Sequence, residues 1–384
     1  MDHQHILKYI RQVFGSTEFI PLHAPYFGGN EKKYVLDTID STFVSSVGAF
    51  VNRFEEMMCE ITGARFAVAT VNGTTALQMA LLAAGTQRGD EVITQTLSFV
   101  ATANAIAHAG ATPVFVDVDR DTLGMSPSAL ATFLREHVHI NAQGQPVNKG
   151  TGKRIAACVP MHTFGLPCKI DEIAAICEEF HIPLVEDAAE SLGSYYKGKH
   201  TGTTGLLAAF SFNGNKTVTC GGGGAIVTDD EKLAKKLKHL TTTAKVPHPW
   251  EFVHDETGFN FRMPNLNAAM ACAQLEQLPR FLQNKRDLAD KYASFFEGSP
   301  IQFVKEPANA IANYWLNVIL MPDGHEKDKF LETSNGSGVM TRPAWRLNHK
   351  LPMYANCQTG DLTNSIWLEE RIVNIPSSFR PDLQ

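Results

Sequence analysis

Paired cysteines are missing from this chain. The seven present (Cys59, Cys158, Cys168, Cys177, Cys220, Cys272 and Cys357) are odd in number, and none forms a CxxC pair. That argues against a disulfide framework and against a zinc site, so no metal is expected. A basic surplus is missing too. Lys and Arg total 34 against 40 Asp and Glu, a formal charge of -6, whereas proteins that wrap nucleic acid usually carry a basic excess or patch. No stretch is long and apolar enough to span a bilayer. The opening MDHQHILKYIRQ lacks the apolar core of a signal peptide. The expectation is a soluble, cytoplasmic protein that works on a small molecule, with no nucleic acid and no membrane. The sequons at Asn72, Asn215 and Asn335 are then chance matches.

Two nucleotide signatures are absent as well. No GxGxxG follows a strand-like run, which disfavours a nicotinamide enzyme. The glycines beside Lys216-Thr217 resemble a phosphate loop, but such a loop needs Gly directly before the Lys, and Asn215 stands there. In GTGKR (150–154), Arg154 follows the lysine where Ser or Thr is required, and Val147 stands where the first Gly belongs.

Apolar residues are plentiful, 44% of 384, ample for a large core and, as a soft prior, for two to three domain-sized units. Over the first two thirds, short β-branched runs alternate with amphipathic stretches. The strand candidates are 66–71, 91–96, 112–119, 154–161, 182–187, 207–213 and 224–229. Several are apolar throughout, as strands covered on both faces are. One helix is expected from Thr74–Thr75 to near Gly85, one through ATANAIAHA to Gly110, and one capped by Asp171. The alternation predicts an α/β fold with a mostly parallel, seven-stranded sheet. After about residue 245 a Pro-containing polar loop leads into one long helix from Asn265 to about Phe296. We therefore expect a large domain over 1–250, with an N-terminal arm, and a smaller C-terminal α+β domain over 251–384. Residues 139–153 look like a surface loop.

Four features suit one chemistry. Asn72-Gly73-Thr74-Thr75 follows a strand and opens a helix, so backbone N–H groups and the positive helix end face an anion; a plain helix cap has the same look. Phe99 follows the next strand, where its ring can cover a flat ligand or simply pack in the core. Asp187 ends a very apolar strand, at the edge where open α/β sheets bind ligands; an N-cap or a metal ligand is the alternative. Lys216 lies between an apolar strand and four glycines, placed to reach into a cleft, although an isolated lysine is usually a solvated surface residue. Phosphate donors, a ring cover, a carboxylate for a pyridine nitrogen and a nucleophilic lysine are what pyridoxal 5'-phosphate (PLP) requires.

The run 185–230, VEDAAESLGSYYKGKHTGTTGLLAAFSFNGNKTVTCGGGGAIVTDD, resembles the signature region of the DegT/DnrJ/EryC1/StrS aminotransferases. The likeness extends from IPLHAPYFGGNEKKYVLDTIDS to TRPAWRLNHKLPMY, nearly the whole chain. It implies PLP fold type I and amination of a nucleotide-linked keto-sugar with glutamate as donor. It also implies that Lys216 carries the cofactor as a Schiff base and moves the protons. Ser211, Gly73, Thr74 and Thr75 would contact the phosphate, Phe99 would stack on the ring, and Asp187 would meet the pyridine nitrogen. Glu190 departs from the family's Gln or His beside the ring oxygen. GFNFRMPNLNAAMACAQL (258–275) is similar to the loop that reaches a neighbouring subunit's site. That makes Asn260, with Arg262, a phosphate contact in trans and the protein a homodimer with shared sites. DSTFVSSVGAFVNRFE, PMHTFG, SFNGNK and NIPSS resemble the legionaminic-acid and bacillosamine subgroup, which implies UDP-4-keto-6-deoxy-N-acetylglucosamine as substrate. Ser45, Ser46, His162, Arg342 and Trp345 would then touch the sugar. A GDP- or dTDP-sugar, amination at C3, a PLP sugar dehydratase and a non-catalytic PLP-binding regulator stay open. Lys216 argues against the dehydratase, which typically has His there, and the net charge argues against a DNA-binding regulator.

Overall fold

The computed structural model describes residues 2–381. Seven strands build the main sheet: β1 (Phe66–Thr70), β2 (Glu91–Gln95), β3 (Thr112–Val116), β4 (Ile155–Val159), β5 (Val185–Asp187), β6 (Leu207–Ser211) and β7 (Gly224–Thr228). Ladders join β3-β2-β4 and β1-β7-β6-β5. Parallel bridges Cys158–Leu184 and Met161–Asp187 connect the two groups, so the order is 3-2-4-5-6-7-1. Only β7 runs antiparallel to its neighbours. The expected mostly parallel sheet of seven strands is present.

Its strands are buried because helices cover both faces. β2, β4, β5 and β7 are buried at every position, which is why they read as apolar runs and not as alternation. One core joins the sheet to α4 (Gly73–Ala83), α5 (Val100–His108) and α8 (Glu231–Thr241). Another packs it on α6 (Pro127–His137) and α7 (Ile170–Glu179). A third includes α3 (Ala49–Thr62) and α9 (Asn265–Leu275).

Three local expectations are corrected. Asp171 does not cap α7; the helix starts one residue earlier, and Asp171 sits in its first turn with the Lys197 Nζ 2.6 Å away. The expected long helix from Asn265 is two helices. α9 ends at Leu275 and α10 (Leu278–Phe296) restarts after Gln277, with Pro279 in its first turn. Proline there has no intrahelical partner to lose but ends any helix running into it. Residues 139–153 are not all loop: 138–140 and 146–148 pair as a small hairpin.

The remaining core is built on an antiparallel sheet of β8 (Gln302–Phe303), β9 (Asn317–Leu320), β10 (Arg342–Pro343) and β11 (Ile372–Ile375), in the order 8-9-11-10. α10, α11 (Gly324–Gly336) and α12 (Thr363–Glu369) pack around it. Helix α1 (His3–Phe14) lies in the same core, through Ile6, Leu7, Ile10 and Val13. Packing therefore crosses residue 250 in both directions, since α9 closes on α3 and α2 (Glu31–Asp40). Among the described residues no helix is long and apolar enough to cross a membrane.

Ile10 is fully buried in this C-terminal core. Truncating a buried isoleucine removes transfer energy and leaves a cavity. Ile10→Ala should cost about 2–4 kcal/mol in denaturant unfolding, while exposed Lys8→Ala should stay within about 0.5 kcal/mol. Equal, small effects would mean that α1 is not docked as described.

Candidate active site

The C-terminal ends of β1, β2, β5 and β6 surround a cavity of about 310 Å³. β5 delivers Asp187 and β6 ends at Ser211, because Ala209 pairs with Asp187 in the parallel register. β1 runs into the Asn72 turn, whose side chain caps α4 by accepting the Thr75 N–H at 2.8 Å. The Gly73 and Ser211 contact is close. A Cβ on Gly73 would lie 2.7 Å from the Ser211 Cβ, so only glycine leaves the helix end open beside that hydroxyl. Gly224, the last of the four-glycine run, serves the same docking: a Cβ there would lie 2.4 Å from the Asn72 carbonyl oxygen. Those glycines bring two loops together and are not themselves an anion cradle.

Asp187 is 5% exposed. The Thr102 hydroxyl donates to its Oδ2 at 2.7 Å and the Ala189 N–H to its Oδ1 at 3.1 Å. Burial pushes its carboxyl above the usual range, against Thr102, Ala189 and Lys216, which pull it down. A cationic nitrogen in the cavity would pull it further down.

Lys216 reaches the same space. Its Nζ lies 3.2 Å from Glu190 Oε1 and 3.9 Å from the centre of the Trp315 ring. The Trp315 indole N–H donates to the Asn215 carbonyl at 2.6 Å, which ties the lysine's loop to the C-terminal region. Across the cavity mouth Phe99 is 46% exposed, with its ring 6.0 Å from that of Trp345.

One cavity thus gathers Gly73, Thr74, Phe99, Asp187, Glu190, Ser211, Lys216 and Trp345, eight of the positions singled out in the sequence. Their chemistry fits PLP. The N-terminus of α4 and the Ser211 hydroxyl offer donors to a phosphate, Asp187 is a buried carboxylate for a ring nitrogen, and Lys216 is the amine.

Other expected positions lie elsewhere. Thr75 does not line the cavity; its N–H goes to Asn72 Oδ1 and its hydroxyl to the Asn72 carbonyl. His162 is buried, with Nε2 donating to Glu186 at 2.8 Å and Nδ1 accepting the Cys168 N–H at 3.2 Å. It cannot touch a sugar. Glu186 also accepts N–H groups from Gly202, Thr204 and Gly205. Burial alone would raise the Glu186 carboxyl, and His162, with the Gly205 and Gly202 N–H groups, holds it low instead. Ser45 is exposed and Ser46 half-buried, away from the cavity of their own chain. Arg342 is exposed and donates to Asn335 Oδ1. Exposed Asn260 accepts from Arg262, outside the cavity.

Trp315 and Thr102 went unnoticed in the sequence. Thr102 stands three residues after Phe99, one helical turn on, and that spacing was the available signal. Nothing local marks Trp315. Lys285 is a second buried lysine close by, pushed down to about 7 by burial. Its Nζ is spent on the carbonyls of Tyr314, Trp315 and Ser377, and it does not line the cavity.

A model of the DegT/DnrJ/EryC1/StrS aminotransferase family matches residues 25–383. A GDP-perosamine synthase of Escherichia coli O157:H7 is 36% identical over 338 residues, 88% of this chain and 88% of that one. A GDP-perosamine synthase of Vibrio cholerae is 35% identical over 93% of this chain and 94% of its own. Among solved structures, the aminotransferase TlmJ from Streptoalloteichus hindustanus superposes with a TM-score of 0.84. It is 27% identical, over 94% of this chain and 93% of that chain.

The burial of His162 separates stability from substrate binding. His162→Leu removes one donor from a buried carboxylate and should cost about 1.5–3 kcal/mol in denaturant unfolding, with the Michaelis constant for the sugar substrate unchanged in the protein that remains folded. A large rise in that constant at unchanged stability would restore the sugar-contact role.

Proposed function

The chain belongs to the DegT/DnrJ/EryC1/StrS aminotransferase family, and from that premise we propose that it moves the amino group of glutamate to C4 of a GDP-linked 4-keto-6-deoxy sugar. It is a PLP-dependent sugar aminotransferase; the donor, the nucleotide and the position on the ring are the proposed part. The UDP-linked N-acetylated substrate expected from the sequence gives way here. Both named relatives are GDP-perosamine synthases, and the legionaminic-acid subgroup behind the UDP expectation gains no support from them.

What carries the catalytic reading is the meeting of Lys216, Asp187 and the α4 N-terminus in one cavity. When bound, PLP supplies the electrophilic carbon and the electron sink that let an amino group pass from donor to acceptor. The chain's residues do the rest. The N–H groups of Gly73 and Thr74 and the Ser211 hydroxyl hold the phosphate. Asp187, kept in place by Thr102 and Ala189, keeps the ring nitrogen protonated. Phe99 covers the ring and narrows access for water. Lys216 Nζ takes the proton from the donor's α-carbon and returns it on the acceptor side.

A homodimer with shared sites is part of the same reading, as is a cytoplasmic setting. Its support is apolar surface: Phe27, Leu36, Ile39, Phe43, Val44 and Val47 stand 41–68% exposed in the segment that carries Ser45 and Ser46. Such a patch in a single chain suits a subunit face. A second copy would bring the 258–262 segment, with Asn260, within reach of the neighbour's phosphate cradle.

Incubation with glutamate and either GDP- or UDP-linked 4-keto-6-deoxy sugars tests the reading, with 2-oxoglutarate and amino-sugar as readouts. Turnover should be at least about tenfold faster with the GDP sugar, a gap of about 1.4 kcal/mol, in a particle of twice the chain mass. Preference for the UDP sugar would overturn the nucleotide assignment. A single-chain mass with full activity would remove the shared site.

A further inference from the structure

Glu190 is a buried acid beside Lys216, and the structure holds it rigidly. Its Oε2 accepts the Phe164 N–H at 2.8 Å. Its own carbonyl accepts from Asn313 Nδ2 at 2.9 Å, and Asn313 Oδ1 accepts the Trp315 N–H. Gly165 makes room for this: its φ is +91°, and a Cβ there would lie 1.9 Å from Asn313 Oδ1. Pinned from two sides, the carboxyl leaves Oε1 free, 3.2 Å from Lys216 Nζ. The Glu190 side chain is 1% exposed and that of Lys216 12%, so water is a poor rival as proton partner.

We propose that Glu190 is the proton acceptor that turns Lys216 from an ammonium into an amine. The proton passes from Nζ to Oε1, leaving a neutral amine beside a neutral carboxyl, and returns when the ammonium is restored. One N–H bond breaks and one O–H bond forms, and the pair has no net charge before or after. The proposal rests on the reading that Lys216 is the working amine, and it names the group that receives its proton. A glutamine at this place would hold the lysine but could not take the proton.

The surroundings raise the carboxyl's own affinity for a proton. Burial pushes the Glu190 carboxyl up to about 7, and Asp187 on the same turn adds to the push, while Lys216 and the Phe164 N–H pull it down. From the C-terminal region uncharged Asn313 and Trp315 face the pair. From the N-terminal arm His23 stands near Lys216, and burial keeps it uncharged.

Infrared titration of wild type and Glu190→Gln, with and without cofactor, tests the proposal. The protonated-carboxyl band that E190Q lacks should reach half-height near pH 7 in the cofactor-free protein. Between pH 4.5 and 7 the native carboxyl, beside the Lys216 ammonium, then takes up a solvent proton that the unfolded chain does not. Wild-type stability should therefore fall as pH rises through that range, and E190Q should not show this fall. In the loaded enzyme E190Q should lower kcat at pH 7 roughly hundredfold, with the Michaelis constant for glutamate within about twofold. A half-height at or below pH 4.5 would overturn the proposal and leave a fixed salt bridge. If E190Q does not fold, Glu190→Asp assigns the band by shifting its frequency. Loading is read separately, by the visible absorbance of the bound cofactor. Its absence would count against the PLP role of the cavity and not against the proton pair, which the cofactor-free arm tests alone.

Discussion

A carboxylate and an ammonium can share a small cavity only if the strands that deliver them end level with each other. Here the parallel pairing of Ala209 with Asp187 sets that level. It places Ser211 two residues beyond the pair and lets the following turn, closed by the Lys216 N–H to the Asn213 carbonyl, bring Lys216 back over the sheet edge. Because side chains alternate along a strand, a one-residue slip would send Asp187 to the opposite face. Burial on both sides of β5 and β6 makes such a slip costly, so the same apolar residues that stabilise the sheet also hold the chemistry in line.

The docking of loops on that edge follows from glycine. Gly73, Gly165 and Gly224 each stand where a methyl group would collide with Ser211, Asn313 or the Asn72 carbonyl. They bring the N-terminus of α4, the Lys216 loop and the Glu190 turn together around one cavity. Trp315 closes the arrangement from the C-terminal region, with one face under Lys216 and its N–H on Asn215. The site therefore belongs to both cores and depends on their relative packing. Within the C-terminal core the Trp315 backbone is itself braced by Lys285, whose Nζ donates to the carbonyls of Tyr314, Trp315 and Ser377.

Much of this was legible along the chain, and the failures have common causes. The seven strands could be placed because each is short, most are apolar or β-branched, and turn residues bound them. The residues facing the cavity mostly sit directly after strands, where chain order predicts a ligand-binding edge, as Asp187 and Phe99 show. Long-range packing was hidden. Nothing near residue 10 announces that α1 joins the C-terminal core, and nothing near residue 315 announces a tryptophan under Lys216. His162 was misplaced for a related reason. It follows a strand of the right kind, but the chain cannot show that Glu186 one strand over points at the same buried spot. Thr75 failed locally, because Asn72 takes its N–H as a helix cap. The nucleotide stayed open along the chain between UDP, GDP and dTDP, and the GDP assignment is a proposal that rests on the relatives.

The central claim is that Lys216 is the amine that binds the cofactor. Lys285 is its rival in kind, a buried lysine with its affinity for a proton lowered by burial, but walled in by carbonyls. Borohydride reduction of the PLP-loaded protein, followed by peptide mass spectrometry, separates them. The account predicts the added cofactor mass on the peptide that contains Lys216, and none in Lys216→Ala. Mass on the Lys285 peptide, or labelling that survives Lys216→Ala, would contradict it.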